Sequence, residues 1–153
     1  MIDYLRKVIQ EAKSENITLV PCSKEEVDKV KEYAGEKLPA AYIEYLETMG
    51  RGTPDGFLRG HSCFINKIFD LKNWAEDLLV ENEFSEKLRK EDFVFWMSQG
   101  YVFAFFKLNE GEDPPIYYYR EGSGQKKFIR IHFHLSGFLL GFIRGYPDLF
   151  EEK

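Results

Sequence analysis

Three histidines and two cysteines are the scarce reactive residues of this chain, so chemistry needing a metal ligand, a general base or a thiolate has to be built from them. His132 and His134 stand two apart, a spacing that projects two imidazoles from one face of a strand end. A third ligand does not follow: His61 is far away in a loop, and neither an HExxH nor a Cys/His pattern is present. Two partly exposed histidines near a helix start explain the pair, and no metal and no cofactor are expected. His61-Ser62-Cys63 puts a base beside two nucleophiles, but adjacency alone does not make a triad, and there is no G-x-S-x-G turn. Gly50-Arg51-Gly52 with Gly56 has the glycines of a phosphate loop. It follows a helix instead of linking strand to helix, and it lacks the Gly-Lys-Ser/Thr ending, so a turn is expected. Cys22 and Cys63 lack CxxC spacing and read as free thiols. Carboxylates are abundant, and a solvated helix face accounts for them. No catalytic residue is assigned, and an enzyme is the weaker class.

Bulk properties exclude other classes. The chain has 153 residues, 44% hydrophobic and 31% charged, which suits one domain, residues 1–153, with a real core. Its 16% aromatic content is more than a disordered chain carries. With 21 Lys+Arg against 26 Asp+Glu, the net charge of -5 leaves no basic surplus for phosphates, so direct nucleic-acid binding is not expected. The longest uncharged runs, 93–106 and 131–143, are shorter than a membrane span needs. The charged N-terminal stretch does not read as a secretory signal, so the expected location is cytoplasmic. All of the net charge falls in residues 1–92, which hold 19 acidic and 14 basic side chains against 7 of each in 93–153.

The elements follow from period and caps. Ile2, Leu5, Ile9 and Ala12 predict an amphipathic helix over 2–13. Ser23-Lys24-Glu25-Glu26 is a capping box that opens a second helix, whose buried side is Val27, Val30, Tyr33 and Ala34 and whose stop is Gly35. Pro39 suits the first position of a third helix, with Tyr42, Ile43, Leu46 and Met49 on one face before Gly50. Residues 63–69 are β-prone, and Asp70 is placed to cap a helix from Leu71 to about Val80 that buries Trp74, Leu78 and Leu79. Residues 81–92 are charged and irregular. From Phe93 the period changes to two: strands 93–97 and 101–108 joined through Ser98-Gln99-Gly100, then 116–119 and 128–133, and a last helix capped by Ser136 and running to about Arg144. Helices and strands are segregated along the chain. The expected fold is therefore α+β, N-terminal helices packed on a mostly antiparallel sheet with a C-terminal helix, and Tyr42, Leu46, Trp74, Phe103 and Phe105 in or near the core.

Alternate residues of a strand face opposite sides, so Phe93, Phe95, Phe103 and Phe105 cannot all share a face with Val94, Trp96, Val102 and Phe106. Both faces of the hairpin are apolar. Either both are covered, or part of the aromatic surface is exposed and binds another protein.

Gly35-x-x-Leu38-Pro39-x-x-Tyr42-x-x-Tyr45-Leu46, then Met49-Gly50-Arg51-Gly52, an aromatic hairpin with Gly100-Tyr101, Asp113-Pro114-Pro115-Ile116-Tyr117 and a closing helix together resemble the SUKH superfamily, over roughly residues 23–145. That superfamily contains fungal regulators of cell-wall glucan synthesis and many bacterial immunity proteins. The resemblance implies an α+β domain without catalytic activity and brings no universal ligand set. It implies a protein partner, a cognate toxin domain neutralised by this chain; the alternative is a regulatory or scaffold protein related to the cell-wall regulators. The absence of long disordered flanks points to immunity. On that reading the surplus aromatics Trp96, Tyr101 and Tyr118 would anchor the partner, with Asp113 or Glu121 at the rim.

Overall fold

A computed structural model describes residues 3–145. Its helices are α1 (Arg6–Ser14), α2 (Lys24–Ala34), α3 (Ala40–Met49), α4 (Ile68–Glu81) and α5 (Leu135–Ile143), and its strands are β1 (Asp92–Ser98), β2 (Val102–Lys107), β3 (Ile116–Arg120) and β4 (Ile129–His132). The strands form one antiparallel sheet in the order β1-β2-β3-β4, so the fold is α+β. The first expected helix is present but shorter; Ile2, at its expected start, lies outside the described residues.

Each sheet face carries its own apolar cluster. Leu5, Val8, Val27, Val30, Tyr42, Leu46 and Phe138, from α5 and the segments before α4, pack on Phe93, Phe95, Trp96, Val102, Ala104 and Phe106. On the opposite face Leu71, Ala75, Leu78 and Leu79 of α4 cover Val94, Met97, Phe103 and Phe105. Cover on both sides is thus the outcome over β1 and β2, as two-sided apolar strands require. Membership of the faces differs from strict alternation. The register shifts between Val94 and Trp96, and this bulge turns both Phe95 and Trp96 to the first cluster, while Phe103 and Phe105 join Val94 on the other. At the hairpin tip Gln99 (φ 52°) and Gly100 (φ 74°) both occupy the left-handed region, where glycine is the unstrained choice.

The capping box at Ser23 forms as expected, with Glu26 N–H donating to Ser23 Oγ at 3.2 Å and Ser23 N–H to Glu26 Oε1 at 2.8 Å. Other helix starts differ from the local reading. Helix α4 begins at Ile68, so Asp70 lies inside its first turn and residues 63–69 form no strand; Lys67 precedes the helix without a side-chain cap. Pro39 sits just before α3 instead of at its first position, and His134, not Ser136, precedes α5. Carboxylates from distant segments do the capping. Glu112 Oε1 accepts from Ala40 N–H at 3.0 Å, Glu44 accepts from the N–H groups of Tyr4 and Leu5 at 2.9 and 3.0 Å, and Asp113 accepts from Ser136 N–H at 2.9 Å and Ser136 Oγ at 2.6 Å. Each places negative charge where backbone donors are left open at a helix start. Asp113→Ala is expected to cost about 0.5–2 kcal/mol, the worth of a lost N-cap, with Asp113→Asn retaining part of it; urea unfolding measures both.

Candidate functional site

The outer side of α4 is a candidate surface for a partner. Leu71, Ala75, Leu78 and Leu79 recur at helical spacing and bury one stripe against the sheet. At about 100° per residue, the positions turned away from that stripe are Phe69, Asp70, Asn73, Trp74, Glu76, Asp77, Val80 and Glu81, and all are exposed. Trp74 therefore corrects the sequence reading. It lies on the flank of the buried stripe, is 40% exposed, and has the Lys67 ammonium 5.9 Å from its ring centroid. On the other flank the Phe69 ring meets Tyr33 of α2 edge-on at 5.3 Å. Burial, then the neighbouring Glu76 and Asp70, raise the Tyr33 phenol above its ordinary value, which places that ring in the field of these two carboxylates. Among the described residues none of Asp70, Glu76, Asp77 and Glu81 is in an ion pair. The surface is thus an arc of unpaired carboxylates flanked by large aromatics, chemistry suited to a basic, partly apolar partner surface.

The expected site residues are not brought together there. Trp96, expected to anchor a partner, is fully buried, its ring 6.0 Å from Phe138 and 5.5 Å from Phe142: both faces of β1 are covered, and the bulge sets this ring in the cluster that includes α5. Tyr101 and Tyr118 are half-buried against the first cluster. Asp113 is half-buried and spends its carboxylate on Ser136. Glu121 is exposed, and its N–H donates to Tyr101 O at 2.8 Å, which makes these two neighbours. Sequence reasoning passed over α4 because Trp74 was counted as core. The available signal was that Trp74 and Val80 fall outside the stripe set by Leu71, Ala75 and Leu78.

A model of the SMI1 / KNR4 family (SUKH-1) matches residues 21–134, well over half of the chain. The chain belongs to that family. No curated protein matches it. The segment that carried the resemblance is structural in this SUKH-1 chain. Leu38, Tyr42, Tyr45, Leu46 and Met49 are buried, Tyr42 and Tyr45 stack at 5.6 Å, and Tyr45 Oη donates to Cys63 O at 2.6 Å. Gly50 has no room for a side chain, since a Cβ there would stand 2.5 Å from Cys22 Sγ and 2.7 Å from Leu46 O. The SUKH-1 glycine loop is a turn with its donors in use: Arg51 N–H binds Val20 O at 2.9 Å and Gly52 N–H binds Met49 O at 3.1 Å.

The reactive side chains of this SUKH-1 domain are spread and packed. Ser62 is tied by its backbone to Met97, and the His61 ring lies 5.1 Å from Trp96 and 5.4 Å from Phe142. His134 Nδ1 contacts Asp113 O at 2.7 Å while His132 packs edge-on against Phe138, so the two imidazoles serve different neighbours. Among the described residues no group of three or more His, Cys, Asp or Glu is placed to hold a metal ion. Burial is the main cause that pushes the Cys22 thiol up to about 11 and the Cys63 thiol up to about 12. Both should therefore resist dithionitrobenzoate in the folded protein and react at once in denaturing urea; rapid modification of folded protein would contradict this packing.

Burial holds the His61 imidazole below its ordinary value of 6.5. The folded state thus disfavours a proton that the unfolded chain accepts. The stability this gives is complete above the unfolded value and is lost as pH falls through the folded one. Glu26, lowered by Ser23 N–H and Arg51, and Glu112, lowered by Lys37 and Ala40 N–H, act in the same sense below their ordinary 4.5. Urea unfolding across pH should show two stages of acid destabilisation, with the first absent in His61→Gln.

Proposed function

We propose that this chain is a non-catalytic protein-binding module, a cytoplasmic immunity protein that neutralises a cognate bacterial toxin by covering its active site with the outer face of α4. Domains of the family are protein-interaction modules, and among the described residues no helix is long and apolar enough to cross a membrane. The observation that carries the proposal is the α4 surface: four unpaired carboxylates beside exposed Trp74, Phe69 and Tyr33. A toxin that acts on an anionic substrate has a basic cleft. Carboxylates presented on a rigid helix meet that cleft with complementary potential and speed encounter, while the aromatics supply the buried contact area that holds the complex.

Co-expression with the toxin domain encoded by the neighbouring gene tests the proposal. Cells carrying this chain should survive, and a complex should persist through size-exclusion chromatography. Death at the rate of unprotected cells, with no complex, overturns the assignment for that pair. Tyr101 and Glu121 form the competing surface, and substitutions there in the same assay rank it against α4.

A further inference from the structure

The two edges of the sheet are finished differently. At one edge β1 is buried along its whole length, and its outer side is bridged at Met97 by Ser62, with N–H to O distances of 2.8 and 3.0 Å. At the other edge β4 pairs only with β3 among the described residues, and all its residues are exposed or half-buried. An open edge offers a row of backbone donors and acceptors to another strand. Large apolar side chains accompany it: Ile129 is 41% exposed, and Phe133, just past the strand, is 68% exposed. On the same sheet face as α4, beyond the part that this helix covers, a cavity of about 480 Å³ opens beside the strand, floored by Phe105, Tyr117 and Phe128 and rimmed by Lys107, Lys127, Arg130 and Glu86, whose carboxylate accepts from Phe128 N–H at 2.9 Å. Lys107 is already paired with Asp92 at 2.8 Å. Lys127 and Arg130 have no ion pair among the described residues; the Arg130 guanidinium instead lies over the Phe133 ring at 4.6 Å.

We propose that β4 is a docking strand for an extended acidic segment of a partner protein, which adds to the sheet outside β4. Main-chain hydrogen bonds to the open edge would supply affinity, and carboxylates on the incoming segment would meet Lys126, Lys127 and Arg130. The charge also decides against a second copy of this chain as occupant. Pairing two β4 edges would set the same Lys126-Lys127 and Arg130 run alongside itself, and like charges across a strand pair oppose it. The site differs in place and in sign of charge from the acidic face of α4, so failure of one reading leaves the other standing.

The test is an NMR titration of the full chain with a short acetylated peptide of alternating glutamate and valine. Saturable amide shifts confined to residues 126–134 are expected. Lys127→Glu with Arg130→Glu should weaken binding about tenfold or more, with the milder Lys127→Gln and Arg130→Gln pair used if the first variant unfolds. N-methylation of alternate peptide amides should abolish binding, and a lysine-valine peptide should not bind. No shifts at millimolar peptide, equal binding of the N-methylated peptide, shifts centred on α4, self-association through β4, or tighter binding of single-stranded oligonucleotide at the same residues would each overturn the proposal.

Discussion

Trp96→Ala is expected to lower the free energy of unfolding by about 3–5 kcal/mol, the cost of truncating a fully buried large aromatic, whereas Trp74→Ala, at a partly covered ring, should cost about 1 kcal/mol. The two tryptophans have opposite environments. Trp96 is fully buried, and its ring is enclosed by His61, Phe138 and Phe142, so alanine leaves a cavity that three elements cannot close together. Trp74 is 40% exposed on the flank of α4, where alanine is also the better helix former. Urea unfolding followed by far-ultraviolet circular dichroism reads both without depending on either indole. A small loss for Trp96→Ala, or a large one for Trp74→Ala, would restore the sequence-based reading that exchanged their places.

That exchange shows where local pattern stops being informative. Features whose cause lies within a few residues were legible: the Ser23/Glu26 box, the left-handed Gly35 after α2 (φ 72°), Gly100 at the hairpin tip, and the Leu38 to Gly52 segment that points to the family. The bulge at Val94/Trp96 was not, because one shifted residue reverses every face assignment before it on the strand while leaving composition unchanged. The starts of α3 and α5 were misplaced by a residue or two for a different reason. Their open N–H groups are satisfied by Glu112 and Asp113 from a single loop between β2 and β3, 72 and 23 residues away from their acceptors' partners Ala40 and Ser136. No window of local sequence contains both halves of such a cap. The candidate site was only partly hidden: the Leu71, Ala75 and Leu78 stripe leaves Trp74 at its edge, and how much of an edge residue is covered depends on how far the sheet extends beneath α4.

Glu76→Lys combined with Asp77→Lys is expected to abolish protection against the cognate toxin, and Trp74→Ala to weaken the complex by about 2 kcal/mol or more, roughly 30-fold, the loss expected of an aromatic anchor. The two changes test different parts of the surface. Reversing two exposed, unpaired carboxylates turns a complementary potential into a repulsive one, so association should slow and its dependence on salt should shrink or invert. Removing the indole leaves charge unaltered and takes away contact area, so the complex should form at nearly the same rate and fall apart faster. Surface plasmon resonance at two ionic strengths separates these outcomes. Because Trp74→Ala is expected to leave folding intact, loss of binding by that variant cannot be assigned to an unfolded chain. Full protection by both variants would move the contact off α4 and toward Tyr101 and Glu121, where exposure and adjacency offer the next surface.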